Sequence, residues 1–278
     1  MEAGALAGPR AQMTALWVEC RQLWRLRALL AVLTRREIGA RFAGSAGGML
    51  WAWVQPALSI AAYFLVFDVV FALRMGEGAP TARVGTFLIV GMLAWMAFSD
   101  ATQRAMGSLV EVGGLLQKNA LPPALFPARA VLASAAVYLP LLLLLVPAYW
   151  GHHQGSAALL GLVPALLAQL LLAWLLGYLL AVLTAALRDV AQMMGFLLSI
   201  GVFAAPILFP LTMFPERWRG LLWLNPMTAW VLVYQSVLLQ GQWPAPAVWL
   251  AMALWLCVLA LLLELALRRC HDQLVDWL

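Results

Sequence analysis

The chain is 278 residues long, 65% hydrophobic and only 10% charged, with a mean hydropathy of +0.91. A soluble domain of this length needs far more charge to hold its surface in water, so a soluble fold is excluded. The formal charge of +5 and the pI near 9.6 would suit nucleic acid, but the basic residues flank apolar runs, which is a topology signal rather than a nucleic-acid face.

In chain order, the first 50 residues carry Arg10, Arg21, Arg25, Arg27, Arg35, Arg36 and Arg41, and lack the apolar core and small-residue cleavage site of a signal peptide. Between Met13 and Phe42, Leu16, Trp17, Cys20, Leu23 and Trp24 recur at helical spacing, while Arg21, Arg25, Arg35 and Arg36 take other positions. That pattern predicts a basic amphipathic helix along the cytoplasmic leaflet, in a segment 1–50 ahead of a membrane domain over 51–278. Gly44, Gly47 and Gly48 form the bend into the first span.

No charged side chain occurs from Phe42 to Phe67, between Arg129 and Arg188, or from Val190 to Pro215. About 20 apolar residues suffice to cross a bilayer. Apolar length predicts six spans, near 53–73, 85–105, 124–150, 157–187, 190–213 and 247–267, in an all-α integral membrane protein. With the N-terminus in the cytoplasm, only Arg74, Arg83, Arg217 and Arg219 of the 17 basic residues fall outside. This bias places both termini in the cytoplasm of a multi-pass protein. Leu221 to Gln240 is long enough for a seventh span, but that would move Arg268 and Arg269 outside, and Asn225-Pro226 breaks a helix near its start. The segment 214–246 therefore reads as short helices that dip into the outer leaflet and return. Such backbone survives at membrane depth only beside protein or a water-filled path, which points to a pore mouth.

Chemistry-bearing patterns are sparse. The one lysine, Lys118, lies in Leu116-Gln117-Lys118-Asn119, without the glycine cradle of a P-loop, so the chain is not expected to hydrolyse ATP itself. Cys20, Cys257 and Cys270 have no metal-ligand spacing, and Cys257 lies in an apolar run. His152 and His153 lack further ligands nearby, so no metal site is expected. Asp68 and Glu264 are acids within apolar runs, candidates for a transport role and equally for interfacial solvation near span ends. Arg188-Asp189 reads as a charged turn. Of the 14 tryptophans, Trp51, Trp53, Trp150, Trp218, Trp223, Trp243 and Trp249 fall near span ends, where indole favours the interface or could stack on sugars.

Several segments together resemble the type-2 ABC transporter permeases, and among them those exporting O-antigen, capsular polysaccharide and teichoic acid. These are Arg35-Arg36-Glu37-Ile38-Gly39-Ala40-Arg41-Phe42-Ala43-Gly44-Ser45, Gly48-Met49-Leu50-Trp51 with Gln55-Pro56, and Leu116-Gln117-Lys118 running to Leu121-Pro122-Pro123 and Phe126-Pro127. Arg188-Asp189-Val190-Ala191-Gln192, Pro206-Ile207-Leu208-Phe209-Pro210, Pro215-Glu216-Arg217 and Leu224-Asn225-Pro226-Met227-Thr228 follow in the same order. The similarity runs over roughly residues 20–270, with 114–121 less basic than the pattern suggests.

The resemblance implies a homodimeric permease that moves a polysaccharide or lipid-linked glycan outward, energised by two copies of a separate ATPase subunit that holds ATP and magnesium. The chain itself would need no cofactor and be no enzyme. It implies an interface helix with Arg35, Arg36, Glu37 and Arg41, and a coupling helix over about 104–119 with Arg104, Glu111, Gln117, Lys118 and Asn119. It also implies an outer gate over 214–240 with Pro206, Pro210, Pro215, Asn225 and Pro226. Rival readings are a type-2 permease for a drug, antibiotic or lipid, a glycan-lipid enzyme, which would need clustered carboxylates or histidines, and a structural scaffold, which would not need the proline-broken segment. The Ala- and Arg-rich, Lys-poor composition suits a GC-rich genome and a Gram-negative inner membrane.

Overall fold

The structure, a computed structural model, describes residues 14–41, 43–72, 74–76, 80–119, 121–270 and 274–277. Arg10, Met13, Phe42 and Leu73 lie outside the described residues, and with them the edges of the expected interface helix and first span. The described chain is helical apart from its connections, which include one isolated β-bridge between Arg74 and Arg83.

The expected amphipathic segment is two helices, α1 (Ala15–Arg25) and α2 (Arg27–Arg41), joined at Leu26. At the start of α1 the Thr14 hydroxyl accepts the Trp17 N–H at 3.2 Å. Glu264, at the far end of the chain, accepts the N–H groups of Ala15 and Leu16 at 2.9 and 2.7 Å. These bonds satisfy donors that a helix start leaves open, and an anion there also favours the helix dipole. Trp17 and Trp24 stay exposed, whereas Leu16, Cys20 and Leu23 turn toward the bundle.

A 3-10 turn at Gly48–Leu50 leads into α3 (Trp51–Phe64), which widens into a π-helical turn over Leu65–Val70. From that turn the Asp68 carboxylate accepts the Gly85 N–H at 2.7 Å. Gly85 lies in the first turn of α4 (Val84–Glu111), and the residue ahead of that helix, Arg83, caps nothing with its side chain. Asp68 is therefore the cap α4 lacks, and Glu264 adds a distant cap to the one that Thr14 already gives α1.

α4 is the axis of the fold. After the four-residue α5 (Gly113–Leu116), α6 (Leu125–Ala148) returns along it. The short α7 (Trp150–His153) then leads to α8 (Leu162–Ala186), which also packs on α4, so closely that a side chain at Gly177 would collide with Ala105. Next come α9 (Asp189–Gly201), α10 (Arg219–Leu222), α11 (Met227–Gln240), α12 (Pro246–Cys270) and α13 (Leu274–Trp277). One end of the bundle carries α1, α2 and the charged groups of α4 and α6, and is called the basic end here. The other, the loop end, gathers the bridge between Arg74 and Arg83 and the connections near 149–161 and 241–245: Tyr149 Oη donates to the Thr86 carbonyl at 2.7 Å and Ser156 Oγ to that of Gly241 at 2.7 Å.

Among the described residues five stretches are long and apolar enough to cross a bilayer: Gly48–Val70, Val84–Glu111, Leu125–Ala148, Ala157–Ala186 and Pro246–Cys270. A sixth is reached only if Glu216–Leu222 and Met227–Gln240, bent by 105°, count as one. The fifth expected span, 190–213, is thus not a continuous helix. It is helical as far as Gly201 and then runs through turns. Gly201 lies against the Trp95 ring, where a Cβ would meet it at 2.6 Å, and Pro206 and Pro210 cannot donate to a helical ladder. The expected coupling helix over 104–119 is also divided. Arg104 to Glu111 belongs to the last turns of α4, the chain leaves helical geometry at Val112, and only Gly113–Leu116 is helical beyond it.

Candidate functional site

Two places bring the predicted residues together, and α4 joins them. The first is an ion network at the basic end. The Arg41 side chain, 5% exposed, lies 3.6 Å from Asp100 and 3.8 Å from Glu37. Its guanidinium also donates to the Ala130 carbonyl and to Ser134 Oγ, each at 3.3 Å. Asp100 accepts from Arg104 Nε at 2.9 Å and from Ser134 Oγ at 2.5 Å. Arg129 lies 3.7 Å from Glu37 and 3.9 Å from Glu111. Burial and then the nearby Arg104 push the Arg41 pKa below its ordinary value, and Asp100 and Glu37 push it back up. The carboxylates therefore compensate a cation whose burial would otherwise be costly. The network ties α2 to both α4 and α6.

Of the expected interface-helix residues, Glu37 and Arg41 point into this network, while Arg35 and Arg36 are exposed. Of the expected coupling residues, Arg104 and Glu111 sit at its rim and remain exposed. Gln117, Lys118 and Asn119 are exposed beyond α5, Asn119 Nδ2 donating to the Leu115 carbonyl at 3.1 Å. Asp100, Arg129 and Ser134 were not anticipated. The Asp100–Arg104 spacing is that of a helical ion pair and could have flagged the first.

The second place is the bent pair α10–α11. Asn225 Nδ2 donates to the Gly201 carbonyl at 2.8 Å, and Asn225 Oδ1 accepts the Met227 N–H at 3.0 Å. Thr228 Oγ1 donates to the Leu222 carbonyl across the same turn. Pro226 stands immediately ahead of α11, already in helical geometry at φ −56° and ψ −36°, where its missing N–H costs nothing. The bend is therefore made by Trp223 to Asn225 and locked by the Asn225 side chain.

The depth of this apex follows from its neighbours. Gly201, bonded to Asn225, underlies Trp95, 11 residues into α4 from the loop end, about 16 Å along the axis at 1.5 Å per residue. Trp255, nine residues into α12 from the same end, donates to the Trp223 carbonyl at 3.2 Å, about 14 Å by the same rule. Both place the apex near the middle of a hydrocarbon layer about 30 Å thick.

From there α11 climbs back to the loop end, almost wholly buried, and side-chain hydrogen bonds fasten it. Trp230 Nε1 donates to the Ala165 carbonyl at 3.1 Å and Tyr234 Oη to Gln169 Oε1 at 2.6 Å. Gln169 Nε2 in turn donates to the Ala94 carbonyl of α4 at 3.0 Å. Gln235 Nε2 donates to the carbonyl of Pro206 at 2.7 Å, which gives that expected gate residue a structural partner. Gly241, at φ 62°, ends α11 against His153. Pro210 is buried and Pro215 exposed, each ahead of a 3-10 turn near the loop end. Gln169, Tyr234 and Gln235 were also missed, although glutamine within apolar runs is a signal for buried polar bonding. Among the described residues no group of three or more His, Cys, Asp or Glu side chains stands close enough to hold a metal ion.

Comparison with known proteins places this architecture. The family model described as ABC-2 type transporter matches residues 28–239. The chain is 33% identical over 229 residues to the O-antigen export system permease protein RfbA of Myxococcus xanthus, covering 81% of this chain and 85% of that protein. It is 21% identical over 216 residues to the protein of the same name from Klebsiella pneumoniae, covering 77% and 81%. It is 24% identical over 218 residues to the polysialic acid transport protein KpsM of Escherichia coli, covering 77% and 83%.

Proposed function

The chain belongs to the ABC-2 type transporter family, and from that premise we propose that it is the membrane subunit of an exporter of polysaccharide or lipid-linked glycan, O-antigen-like in class. The names of its relatives, which speak of O-antigen export and polysialic acid transport, support the substrate class. The chain is an integral membrane protein and a transport subunit. In this reading two copies form the channel in an inner membrane and two copies of a separate ATPase hold ATP and magnesium. Lys118 has no phosphate cradle in sequence, so hydrolysis falls to that partner. The basic end faces the cytoplasm, by the excess of arginine there, and both termini lie on that side.

The observation that carries the mechanism is that one helix, α4, holds the ion network at its basic end and meets the re-entrant apex through Trp95 at its middle. Motion of the ATPase would be received by α2 and by the exposed group Arg104, Glu111, Gln117, Lys118 and Asn119. Glu37 and Arg41 pass it to α4 at Asp100, and α4 carries it as a rigid rod to Gly201 and Asn225, where the α10–α11 pair opens as the gate.

The test reverses Glu111 and Lys118 to the opposite charge, singly and together, in the reconstituted complex. Glu111 is 64% exposed at its ion pair with Arg129, so the permease should insert with stability changed by less than about 0.5 kcal/mol. ATPase association or glycan export should fall. Full export and unchanged complex yield in all three variants would remove these residues from the coupling surface.

A further inference from the structure

A groove of about 490 Å³ lies between the amphipathic pair α1–α2 and the spans α6 and α8. Leu23, Trp24 and Arg27 form one wall, and Ala128, Leu132 and Trp174 stand on the other. It exists because α6 and α8 each pack far more closely on α4 than on one another, which leaves a cleft on their membrane side that α1 and α2 cross at the basic end. Ala128 stands in the first turn of α6 and Trp174 midway along α8. The groove thus spans about half of the hydrocarbon layer, roughly 15 Å, the depth of one leaflet.

Its chemistry is divided. The lining is apolar except at the mouth, where Arg27 lies over the Trp24 ring at 5.4 Å and donates to the Trp24 carbonyl at 3.2 Å. Those contacts use one of its five N–H donors, and Arg27 has no carboxylate partner among the described residues. Trp24 is 73% exposed, as an indole at a headgroup boundary would be. Deeper in, the buried Trp174 N–H has no hydrogen-bond partner. An apolar slot one leaflet deep, with an uncompensated guanidinium at its mouth, complements a ligand with an acyl chain and an anionic headgroup.

We propose that this groove holds one anionic phospholipid of the surrounding leaflet, its acyl chain between α6 and α8 and its phosphate on Arg27. The lipid would wedge α1 and α2 against the bundle, so the position of the amphipathic pair would depend on headgroup charge. That this leaflet is the cytoplasmic one rests on the orientation given above. The lipid preference itself does not, and it is read without export or an ATPase.

The test incubates full-length permease in mild detergent with an equimolar mixture of dioleoyl phosphatidylglycerol and dioleoyl phosphatidylcholine, and counts retained lipid by native mass spectrometry. Wild type should retain one phosphatidylglycerol in preference by about fivefold, the scale of one arginine acting on an anionic headgroup. Arg27→Gln should bring the two lipids to parity. Leu132→Trp, which fills the groove from its membrane side at a position 39% exposed, should abolish retention of both. Equal retention by wild type, or a preference unchanged in Arg27→Gln, overturns the proposal, and those two arms decide even if Leu132→Trp fails to fold. Displacement of phosphatidylglycerol by an equimolar polyprenyl phosphate also overturns it and gives the groove to a carrier lipid.

Discussion

The first two spans are equally apolar along their most hydrophobic stretch, yet 6% of that stretch is buried in Gly48–Val70 and 67% in Val84–Glu111. α4 is surrounded by α6, α8 and α11, whereas α3 and the π-helical turn that ends it touch the bundle on one narrow side and leave Leu58, Leu65 and Val69 bare. Apolar length says that a helix lies in a membrane and nothing about what covers it. In lipid the bare face of α3 carries no hydrophobic penalty, so its neighbours are free to be lipid or a second copy. α4 is held by packing, by polar bonds to its backbone and by charge. Substitutions on the two helices should therefore differ in consequence far more than in chemistry.

The largest effect should come from Asp100→Ala, which leaves the buried Arg41 with Glu37 as its one carboxylate among the described residues and releases Arg104 and Ser134. Removing one partner of a buried pair costs about 3–5 kcal/mol, so the temperature at which monodisperse protein is lost in detergent should fall by about 10 °C. A shift within error would mean that the charge network does not hold α4 in place. Gly177→Leu comes next. It forces α8 away from Ala105 and should cost about 1–3 kcal/mol, read as a smaller shift in the same measurement.

At the re-entrant apex the two residues of Asn225-Pro226 should separate. Asn225→Ala loses two hydrogen bonds, worth about 1–2 kcal/mol together, and should admit ions or dye through the resting protein in liposomes. Pro226→Ala, at a helix start, should leak no more than wild type. Equal leak in both variants would return the bend to the proline. The smallest effect belongs to α3: Ala62→Leu on its exposed face should change thermal stability by less than about 0.5 kcal/mol. A loss as large as that of Gly177→Leu would show α3 to be as enclosed as α4.

Much of this was legible in the sequence, for definite reasons. Uncharged runs marked the spans, and the stripe Leu16, Trp17, Cys20, Leu23 and Trp24 marked the apolar side of α1, of which Leu16, Cys20 and Leu23 turn inward while Trp17 and Trp24 stay exposed. Asn225-Pro226 marked a break that the structure makes a bend of 105°. The fifth span was misjudged because hydropathy registers neither the contact of Gly201 with Trp95 nor the stop at Pro206 and Pro210, although both prolines were in plain view. The charge network was out of reach for another reason. Arg41 and Ser134 are 93 residues apart, and no local period encodes such a pairing. Asp68 and Glu264 were weighed between transport and solvation, and both cap helices belonging to other parts of the chain. A cap supplied from a distance leaves no capping motif beside the helix it serves.

The Glu264 cap has a consequence for the order in which the molecule is made. Its carboxylate and the Ala15 N–H are 249 residues apart, so at synthesis rates of about 5–20 residues per second roughly 10–50 s separate their emergence. During that interval α1 lacks its distant cap and the surface of the last span, and is held only by the bilayer and by its contacts with the earlier spans, among them Glu19 accepting the Ala124 N–H at 3.3 Å. Insertion of α12 then captures it. A chain truncated ahead of residue 264 should still place its earlier spans yet leave α1 open to proteolysis, which makes docking of the first helix a checkpoint that reports completion of the last.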